Sequence, residues 1–458
     1  MIDPEKAAKE FFEVPAEALE KTVEVLEEGE QAIVNKKPFK MAEEYFNTLG
    51  PGLITGAADD DPSGIATYSQ TGAQYGFQLL WLSLFSFPFM AVVQEMCARI
   101  GMVTGRGLAA NIRSHYSRKI LFFITILLFI ANTLNIAADL GAMAASTRLM
   151  FPGINILVCV TLFGLLILLL QIFTTYARYS KILKYLTLAL LSYVFTAFAV
   201  HLNWGQALHS TITPSFTFSK DEIFLLCAIL GTTISPYLFF WQTSQEVEEE
   251  ILKGNSTVEL RKKSVTSKEL SNMRKDTWTG MFFSNAIMFF IIAACAATLH
   301  AHGITNIATA DQAAAAIRPF GGELTYFFFA IGIIGTGLLA IPTMAGSTAY
   351  ATAESFGWKH GLYLKLKQSY AFYGVIVISM IVGVVANYFH LDPIKGLIYS
   401  AIANGLVAPI VLFFIVKTSS NKAVMGEHKN HKLIAGIGWF ITILMTLAGI
   451  AAIASMFL

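Results

Sequence analysis

Charge is scarce in this sequence. Only 14% of the 458 residues are Asp, Glu, Lys or Arg, whereas soluble globular proteins carry about 25%. The 32 basic and 31 acidic residues nearly cancel. A disordered chain or a nucleic-acid-binding module needs far more charge, so the composition excludes both.

Cysteine is also rare, and no two cysteines have the Cys-x-x-Cys spacing. The four are Cys97, Cys159, Cys227 and Cys295. They lie singly in separate apolar segments, so the sequence predicts neither a zinc site nor a disulfide framework.

The first 45 residues lack any apolar segment, which argues against a cleavable signal peptide. Acidic residues outnumber basic ones here, and the glutamates recur at helical spacing. This pattern predicts a solvated acidic segment on the cytoplasmic side of a membrane.

From residue 47 onward the sequence is dominated by apolar segments, each about long enough to cross a bilayer. The eleven predicted spans cover residues 47–75, 77–103, 119–149, 153–175, 180–202, 221–251, 276–300, 323–345, 369–389, 394–416 and 432–457. If the N-terminus is cytoplasmic, all but four of the 32 Lys and Arg residues lie on the cytoplasmic side. This asymmetry predicts a multi-pass plasma-membrane protein with a cytoplasmic N-terminus and an extracytoplasmic C-terminus.

Two of the spans contain sequence that interrupts a helix. Residues 59–64 of the first span read Asp-Asp-Asp-Pro-Ser-Gly, and residues 231–236 of the sixth read Gly-Thr-Thr-Ile-Ser-Pro. Broken helices are tolerated at membrane depth only where the freed backbone groups face protein or a polar cavity. Breaks five spans apart favour two inverted repeats of five helices, over residues 46–202 and 221–416, with 432–457 as an eleventh helix. Two ordinary proline kinks are the alternative.

Asp61 is the predicted centre of an ion site, because a carboxylate at mid-bilayer costs at least about 2.5 kcal/mol and is retained for function. It follows the first half of a broken helix, whose C-terminal end carries free carbonyls and the negative end of the dipole. At most one neighbouring acid, Asp60, is expected to join it. Ser63, Thr232 and Ser235 add oxygen atoms, and neither break contains His, Cys or Met. An all-oxygen site suits hard cations such as Mg²⁺, Ca²⁺ or Mn²⁺.

Several motifs resemble those of the Nramp family of divalent-metal transporters. They are Gly50-Pro51-Gly52, Asp61-Pro62, residues 70–76, residues 97–106, Ala138-Asp139-Leu140 and Met344-Ala345-Gly346. The resemblance covers nearly all of the chain after residue 46. It implies an all-α, LeuT-like membrane transporter that is not an enzyme, needs no cofactor and carries a divalent metal ion.

The sequence departs from the family pattern at the metal ligands. Where the family has Asp-Pro-Gly-Asn, this chain has Asp61-Pro62-Ser63-Gly64, so Gly64 replaces the ligating asparagine. Ser235 replaces the methionine of the family's Met-Pro-His motif, and the resemblance implies a carbonyl ligand at Thr232. Loss of the sulfur removes the preference for softer metals, and fewer ligands leave room for an ion that keeps its waters, as Mg²⁺ does.

Other departures affect the family's proton-carrying positions. Asp139 is retained, but the family glutamate three residues later is Ala142, and the two family histidines fall on Tyr237 and Gln242. This pattern resembles the Nramp-related magnesium transporter branch, which lacks proton coupling. We expect Asp139, Tyr237, Gln242 and Asn404 to line the ion pathway.

The predicted function is import of hydrated Mg²⁺, and of Mn²⁺, by alternating access without proton coupling. Apart from the ion and the bilayer, neither a nucleic acid nor an obligate protein partner is inferred. A proton-coupled Mn²⁺/Fe²⁺ importer is the main alternative, and a sodium-coupled solute transporter is a lesser one. An intramembrane aspartyl protease is a different class, for which Asp61 and Asp139 are the only plausible catalytic pair.

Three further expectations concern the cytoplasmic side. Glu95 and Arg99, spaced i, i+4 on the second span, are predicted to pair. Residues 254–275 are predicted to form a flexible linker. The glutamates at 246–250 are expected to form a solvated acidic turn.

Overall fold

The computed structural model describes residues 37–217, 219–389 and 393–457. Within these ranges the regular structure is helical throughout, without a β-strand. The helices are α1 (Lys37–Thr48), α2 (Pro51–Ala58), α3 (Pro62–Tyr75), α4 (Trp81–Thr104), α5 (Leu108–His115), α6 (Arg118–Met150), α7 (Ile156–Phe173), α8 (Tyr176–Leu186), α9 (Leu191–Ala199), α10 (Trp204–Ile212), α11 (Lys220–Thr233), α12 (Pro236–Leu252), α13 (Val258–Ser264), α14 (Ser267–Thr298), α15 (Ala310–Phe356), α16 (Tyr370–Tyr388), α17 (Pro393–Ser419), α18 (Lys422–Met425) and α19 (Lys432–Phe457).

The length and hydropathy of the helices indicate which of them can cross a membrane. In the described part of the chain, nine helices or helix pairs are long and apolar enough to span a bilayer, and a bent pair, Asn404–Ser419 with Lys422–His428, makes a tenth. The predicted first span is divided into α2 and α3, of 8 and 14 residues, each too short to cross alone. The prediction of an all-α, multi-pass protein is confirmed, while eleven crossings and the orientation of the termini stay predictions.

The chain divides into two compact units, residues 1–49 and Gly50–Leu458. The described part of the first unit contains α1. The acidic segment predicted over residues 1–45 falls, up to residue 36, outside the described residues. All the predicted ion-site and pathway residues belong to the second unit.

Two long helices organise the second unit. Helix α15 packs against α6, α12 and α16, whereas α14 packs against α2, α3 and α4. Helices α2 and α3 therefore lie in the interior, where all of the α2 residues and most of the α3 residues are buried. This packing places the first predicted break among protein side chains, as the energetics of a free backbone in a bilayer require.

The prediction of a flexible linker over residues 254–275 is wrong. Thr257 caps α13 by accepting a hydrogen bond from the Leu260 N–H, and α14 already begins at Ser267. Thr266 and Glu269 form a reciprocal capping box at that start. Such a pair satisfies two otherwise free N–H groups, which explains why a Ser- and Lys-rich segment is helical.

The expectation of a solvated acidic turn at residues 246–250 is also wrong. The side chains of Glu246, Glu248 and Glu250 are buried. Glu248 accepts hydrogen bonds from the Tyr350 hydroxyl at 2.6 Å and from the backbone N–H groups of Leu362 at 2.7 Å and Tyr363 at 3.1 Å. These donors compensate the carboxylate for lost water, and they connect α12 to α15 and to the segment that follows it.

The predicted Glu95–Arg99 pair is confirmed, with 3.6 Å between the guanidinium and the carboxylate. The same carboxylate also accepts from Arg274 Nε at 3.0 Å and from Trp278 Nε1 at 2.9 Å. Glu95 therefore joins α4 to α14 through charge-assisted hydrogen bonds.

Candidate ion site between two interrupted helices

The first break is a helix end followed at once by a helix start. Helix α2 ends at Ala58, and Asp61 is the N-cap of α3, with extended backbone angles (φ −67°, ψ 164°). Its Oδ1 accepts from the Gly64 N–H at 2.6 Å, and the Ser63 hydroxyl donates to the same carboxylate at 2.8 and 2.9 Å. Pro62 occupies the first helical position, where its missing N–H is harmless.

This geometry refines the predicted electrostatics of Asp61. The sequence suggested that Asp61 belongs to the C-terminal end of the first half-helix. In the structure it caps the N-terminal end of α3, where the helix dipole stabilises a negative charge. The carbonyl end of α2 lies opposite, so the break presents a carboxylate and free carbonyl groups together.

All three consecutive aspartates are buried, and Asp61 is only 3% exposed. Asp59 Oδ2 accepts from the Ser284 hydroxyl of α14 at 3.1 Å. Among the described residues, Asp59 Oδ1 and both carboxylate oxygens of Asp60 have no hydrogen-bond partner. Buried carboxylates without donors are strongly unfavourable, and a bound cation would compensate them.

The second break separates α11 from α12 by two residues, Ile234 and Ser235. The Ser235 hydroxyl donates to the carbonyl of Thr232 at 2.7 Å and to that of Gly231 at 3.1 Å. The Thr232 carbonyl, a predicted ligand, therefore has one of its two lone pairs engaged. The prediction that the first and sixth spans are discontinuous is confirmed.

The Tyr237 side chain connects the two breaks. The Tyr237 hydroxyl, on the first turn of α12, donates to the Ala58 carbonyl at 2.8 Å. Tyr237 is buried and lies near Asp59, Asp61 and Asp139. One of the free carbonyl groups at the end of α2 is thus satisfied by a residue at a position where the family has histidine.

The three remaining residues predicted to line the pathway differ in their surroundings. Asp139 of α6 is buried close to Asp61 and to the Ser63 backbone. Gln242 Nε2 donates to Glu246 at 2.8 Å, one turn further along α12. Asn404 of α17 is buried, and its Oδ1 lacks a hydrogen-bond partner among the described residues. The structure thus brings Asp139 to the aspartates, while Gln242 and Asn404 stay predictions.

A polar stripe runs along α3 away from the break. It consists of Ser63, Thr67, Gln70 and Gln74, which follow helical spacing and are all partly exposed. At the far end of α3, Gln70 contacts the segment that follows α14. Its Oε1 accepts a hydrogen bond from the Ile307 N–H at 2.6 Å. The stripe places polar side chains between Asp61 and that end of α3.

One residue at the break was missed by sequence reasoning. Ser284 lies within the apolar run Met-Phe-Phe-Ser-Asn, where a single serine carries no signal that distinguishes a site from packing. Its contact with Asp59 joins residues 225 positions apart. Only the tertiary fold reveals this donor.

In the described parts of the chain, no group of three or more His, Cys, Asp or Glu side chains is arranged to hold a metal ion. An ion at the break would therefore rest on few carboxylates, with carbonyl, hydroxyl and water oxygens completing its coordination.

Facing breaks in two membrane helices, with unpaired carboxylates between them, define a secondary transporter that carries a cation. The family model described as Natural resistance-associated macrophage protein-like, or Nramp, matches residues 52–455. The chain therefore belongs to the Nramp family. This is a family of transporters, so the protein is not an enzyme and the aspartyl protease alternative is excluded.

Similar curated proteins span nearly the same length. The divalent metal cation transporter MntH of Klebsiella pneumoniae subsp. pneumoniae is 27% identical over 418 residues, which cover 89% of this chain and 94% of that protein. The MntH of Erwinia tasmaniensis is 27% identical over 411 residues, covering 87% and 92%. The family prediction is confirmed, whereas these relatives leave the magnesium branch a prediction.

Solved structures show the same fold at low identity. The manganese transporter of Eremococcus coleocola matches with a TM-score of 0.70 and 18% identity, covering 91% of this chain and 88% of that one. Mhp1, a nucleobase-cation-symport-1 family transporter, matches with a TM-score of 0.56 and 12% identity, covering 89% and 91%. The LeuT-like fold is thereby confirmed, and the internal symmetry of its two halves stays a prediction.

Proposed function

We propose that this protein imports Mg²⁺, largely hydrated, by alternating access around the Asp59–Asp61 break. The observation that carries the proposal is the set of buried carboxylate oxygens without hydrogen-bond partners in the described structure. They lie beside hydroxyl and backbone oxygens, and neither sulfur nor imidazole occurs in either break. Hard divalent cations prefer this set of donors.

Glycine at position 64 favours the proposal that the ion keeps its water. A Cβ atom at this position would lie 3.1 Å from Asp61 Oδ1 and 3.4 Å from the Asp59 carbonyl oxygen. An asparagine here would fill the space beside the carboxylate, whereas glycine leaves that space to water. Mg²⁺ is usually bound through one or two carboxylates with several waters retained. We assign Asp61 as the central ligand, with Asp60, Ser63, Gly64, Thr232 and Ser235 around it.

The proposed transport needs no protons. The positions of the family histidines hold Tyr237 and Gln242, and both side chains donate hydrogen bonds within the protein. Unlike histidine, neither side chain gains or loses a proton near neutral pH. An inside-negative potential supplies about 2.3 kcal/mol per charge per 100 mV, hence about 4.6 kcal/mol for a divalent ion, which suffices to drive uptake.

The topology is part of the proposal. Residues 46–202 and 221–416 form the two inverted repeats, 432–457 forms the eleventh crossing, and the N-terminus is cytoplasmic. In this orientation α2 faces the cytoplasm and the polar stripe of α3 faces the outside. The distribution of Lys and Arg supports this arrangement.

A proton-coupled Mn²⁺ importer is the second candidate, since the similar proteins are named MntH and manganese transporter. Competition by Cd²⁺ separates the two proposals. A site with a soft ligand binds Cd²⁺ well, whereas an all-oxygen site does not. Strong inhibition of Mg²⁺ flux by a small excess of Cd²⁺ would favour the second candidate.

The direct test is Mg²⁺ flux into proteoliposomes that contain an indicator dye. Asp61→Ala should abolish the flux, because it removes the central ligand. Asp221→Asn, on an exposed residue in the first turn of α11, is the matched control and should transport normally. Full flux through the Asp61 variant would mean that the ion is bound elsewhere.

A further inference from the structure

The N-terminal end of α2 is capped from another helix. Gly50, at the N-cap position, has no side chain to accept from the first N–H groups. Asp276 of α14 supplies the acceptors. Its Oδ1 accepts from the N–H of Gly50 at 2.9 Å and of Leu53 at 3.1 Å, and its Oδ2 accepts from Gly52 at 2.7 Å. The side chain is buried, so these three amides replace water around it.

The backbones of α2 and α14 are in direct contact beyond this cap. A Cβ atom on Gly56 would lie 2.2 Å from the Gly280 carbonyl oxygen, and one on Gly280 would lie 2.1 Å from that of Gly52. Glycine at these positions is what allows the approach. The two helices therefore meet over most of the eight residues of α2, and Asp276 fixes their register.

Helix α2 is short and leads directly from the Asp276 cap to the three aspartates of the break. All eight of its residues are buried. In the proposed orientation α2 lies between the ion site and the cytoplasm, so movement of α2 would open the site to the cytoplasm. The three hydrogen bonds to Asp276 oppose that movement.

We propose that Asp276 is a positioning residue that holds α2 where it closes the ion site to the cytoplasm. Its hydrogen bonds to α2 break when the site opens to that side. This inference rests on the proposed transport function and orientation. Asp276 touches no ion, and it acts through the position of α2.

Hydrogen–deuterium exchange on the full chain in lipid nanodiscs tests the contact without any metal. In Asp276→Asn an amide group replaces one carboxylate oxygen, so at least one of the bonded N–H groups faces a donor. Peptides covering residues 50–58 should exchange at least about tenfold faster, since bonds to charged groups are worth more than 1.4 kcal/mol each. Lys275→Gln, on the exposed neighbour, is the control. Unchanged exchange over residues 50–58, or equal acceleration in every helix, would overturn the proposal.

Flux in both directions separates a holding role from a defect in the site itself. In vesicles with the protein in one orientation, Asp276→Asn should raise the half-saturating Mg²⁺ concentration about threefold on the outer side and lower it on the cytoplasmic side. When the population shifts from the outward-open state to the cytoplasm-open state, the apparent affinity falls on the outer side and rises on the cytoplasmic side. Weakening on both sides would overturn the proposal. If the unmodified protein carries no Mg²⁺, the proposed function fails, while the exchange experiment still decides whether Asp276 holds α2.

Discussion

Tyr237→Phe removes the hydrogen bond that joins the two helix breaks at Ala58, and its effect follows from the geometry. The hydroxyl donates to the Ala58 carbonyl at 2.8 Å, and Tyr237 is only 1% exposed. The ring remains, so no cavity forms. The carbonyl, however, becomes a buried acceptor without its donor, which costs about 1–3 kcal/mol. We expect the free energy of unfolding to fall by that amount.

Equilibrium unfolding in detergent micelles measures this change. Tyr116→Phe is the matched control, because among the described residues the Tyr116 hydroxyl has no hydrogen-bond partner, so its loss should change stability by less than about 0.5 kcal/mol. Transport should also change, because the freed carbonyl at the end of α2 becomes available to the ion. Mn²⁺ sheds water more readily than Mg²⁺, so the half-saturating concentration of Mn²⁺ should fall relative to that of Mg²⁺. Equal stability of the two variants would refute this reasoning.

Two further substitutions test the packing and the charge around the break. Gly56→Ala places a methyl group 2.2 Å from the Gly280 carbonyl oxygen, so we expect a loss of about 1–3 kcal/mol in unfolding free energy and impaired flux. Gly374→Ala is the control, because a Cβ there meets no atom within 4 Å, and it should be neutral or stabilising. Equal effects of the two substitutions would contradict the close contact. Asp139→Asn removes a buried carboxyl group near Asp61, so the half-saturating Mg²⁺ concentration in a proteoliposome assay should rise. An unchanged value would show that Asp139 does not act on the ion.

The interrupted helices were predictable because the signal is local. Proline and glycine next to acidic residues are unfavourable in a helix and expensive in a membrane, so their presence at residues 59–64 predicted both a break and a function. The structure ends α2 at Ala58 and starts α3 at Pro62. The hydrogen bonds among Asp61, Ser63 and Gly64 also lie within one turn, where sequence spacing determines contact.

The contacts that hold the site were not predictable, because they join residues far apart in the chain. Asp276 bonds amides more than 220 positions away, and Ser284 reaches Asp59 across 225. Glu248 of α12 looked solvated because two of its donors, the Leu362 and Tyr363 amides, come from a distant segment. The capping box at Thr266 and Glu269 was a local signal, but the polar composition around it favoured a loop.

Simultaneous recording of Mg²⁺ entry and internal pH in proteoliposomes, at a fixed inside-negative potential, tests the central claim most directly. The account predicts that the indicator reports Mg²⁺ influx while the pH dye inside the vesicles stays constant, and that both signals are flat for Asp61→Ala. Acidification that accompanies metal entry and disappears in Asp61→Ala would contradict uncoupled Mg²⁺ transport and would favour the proton-coupled importer.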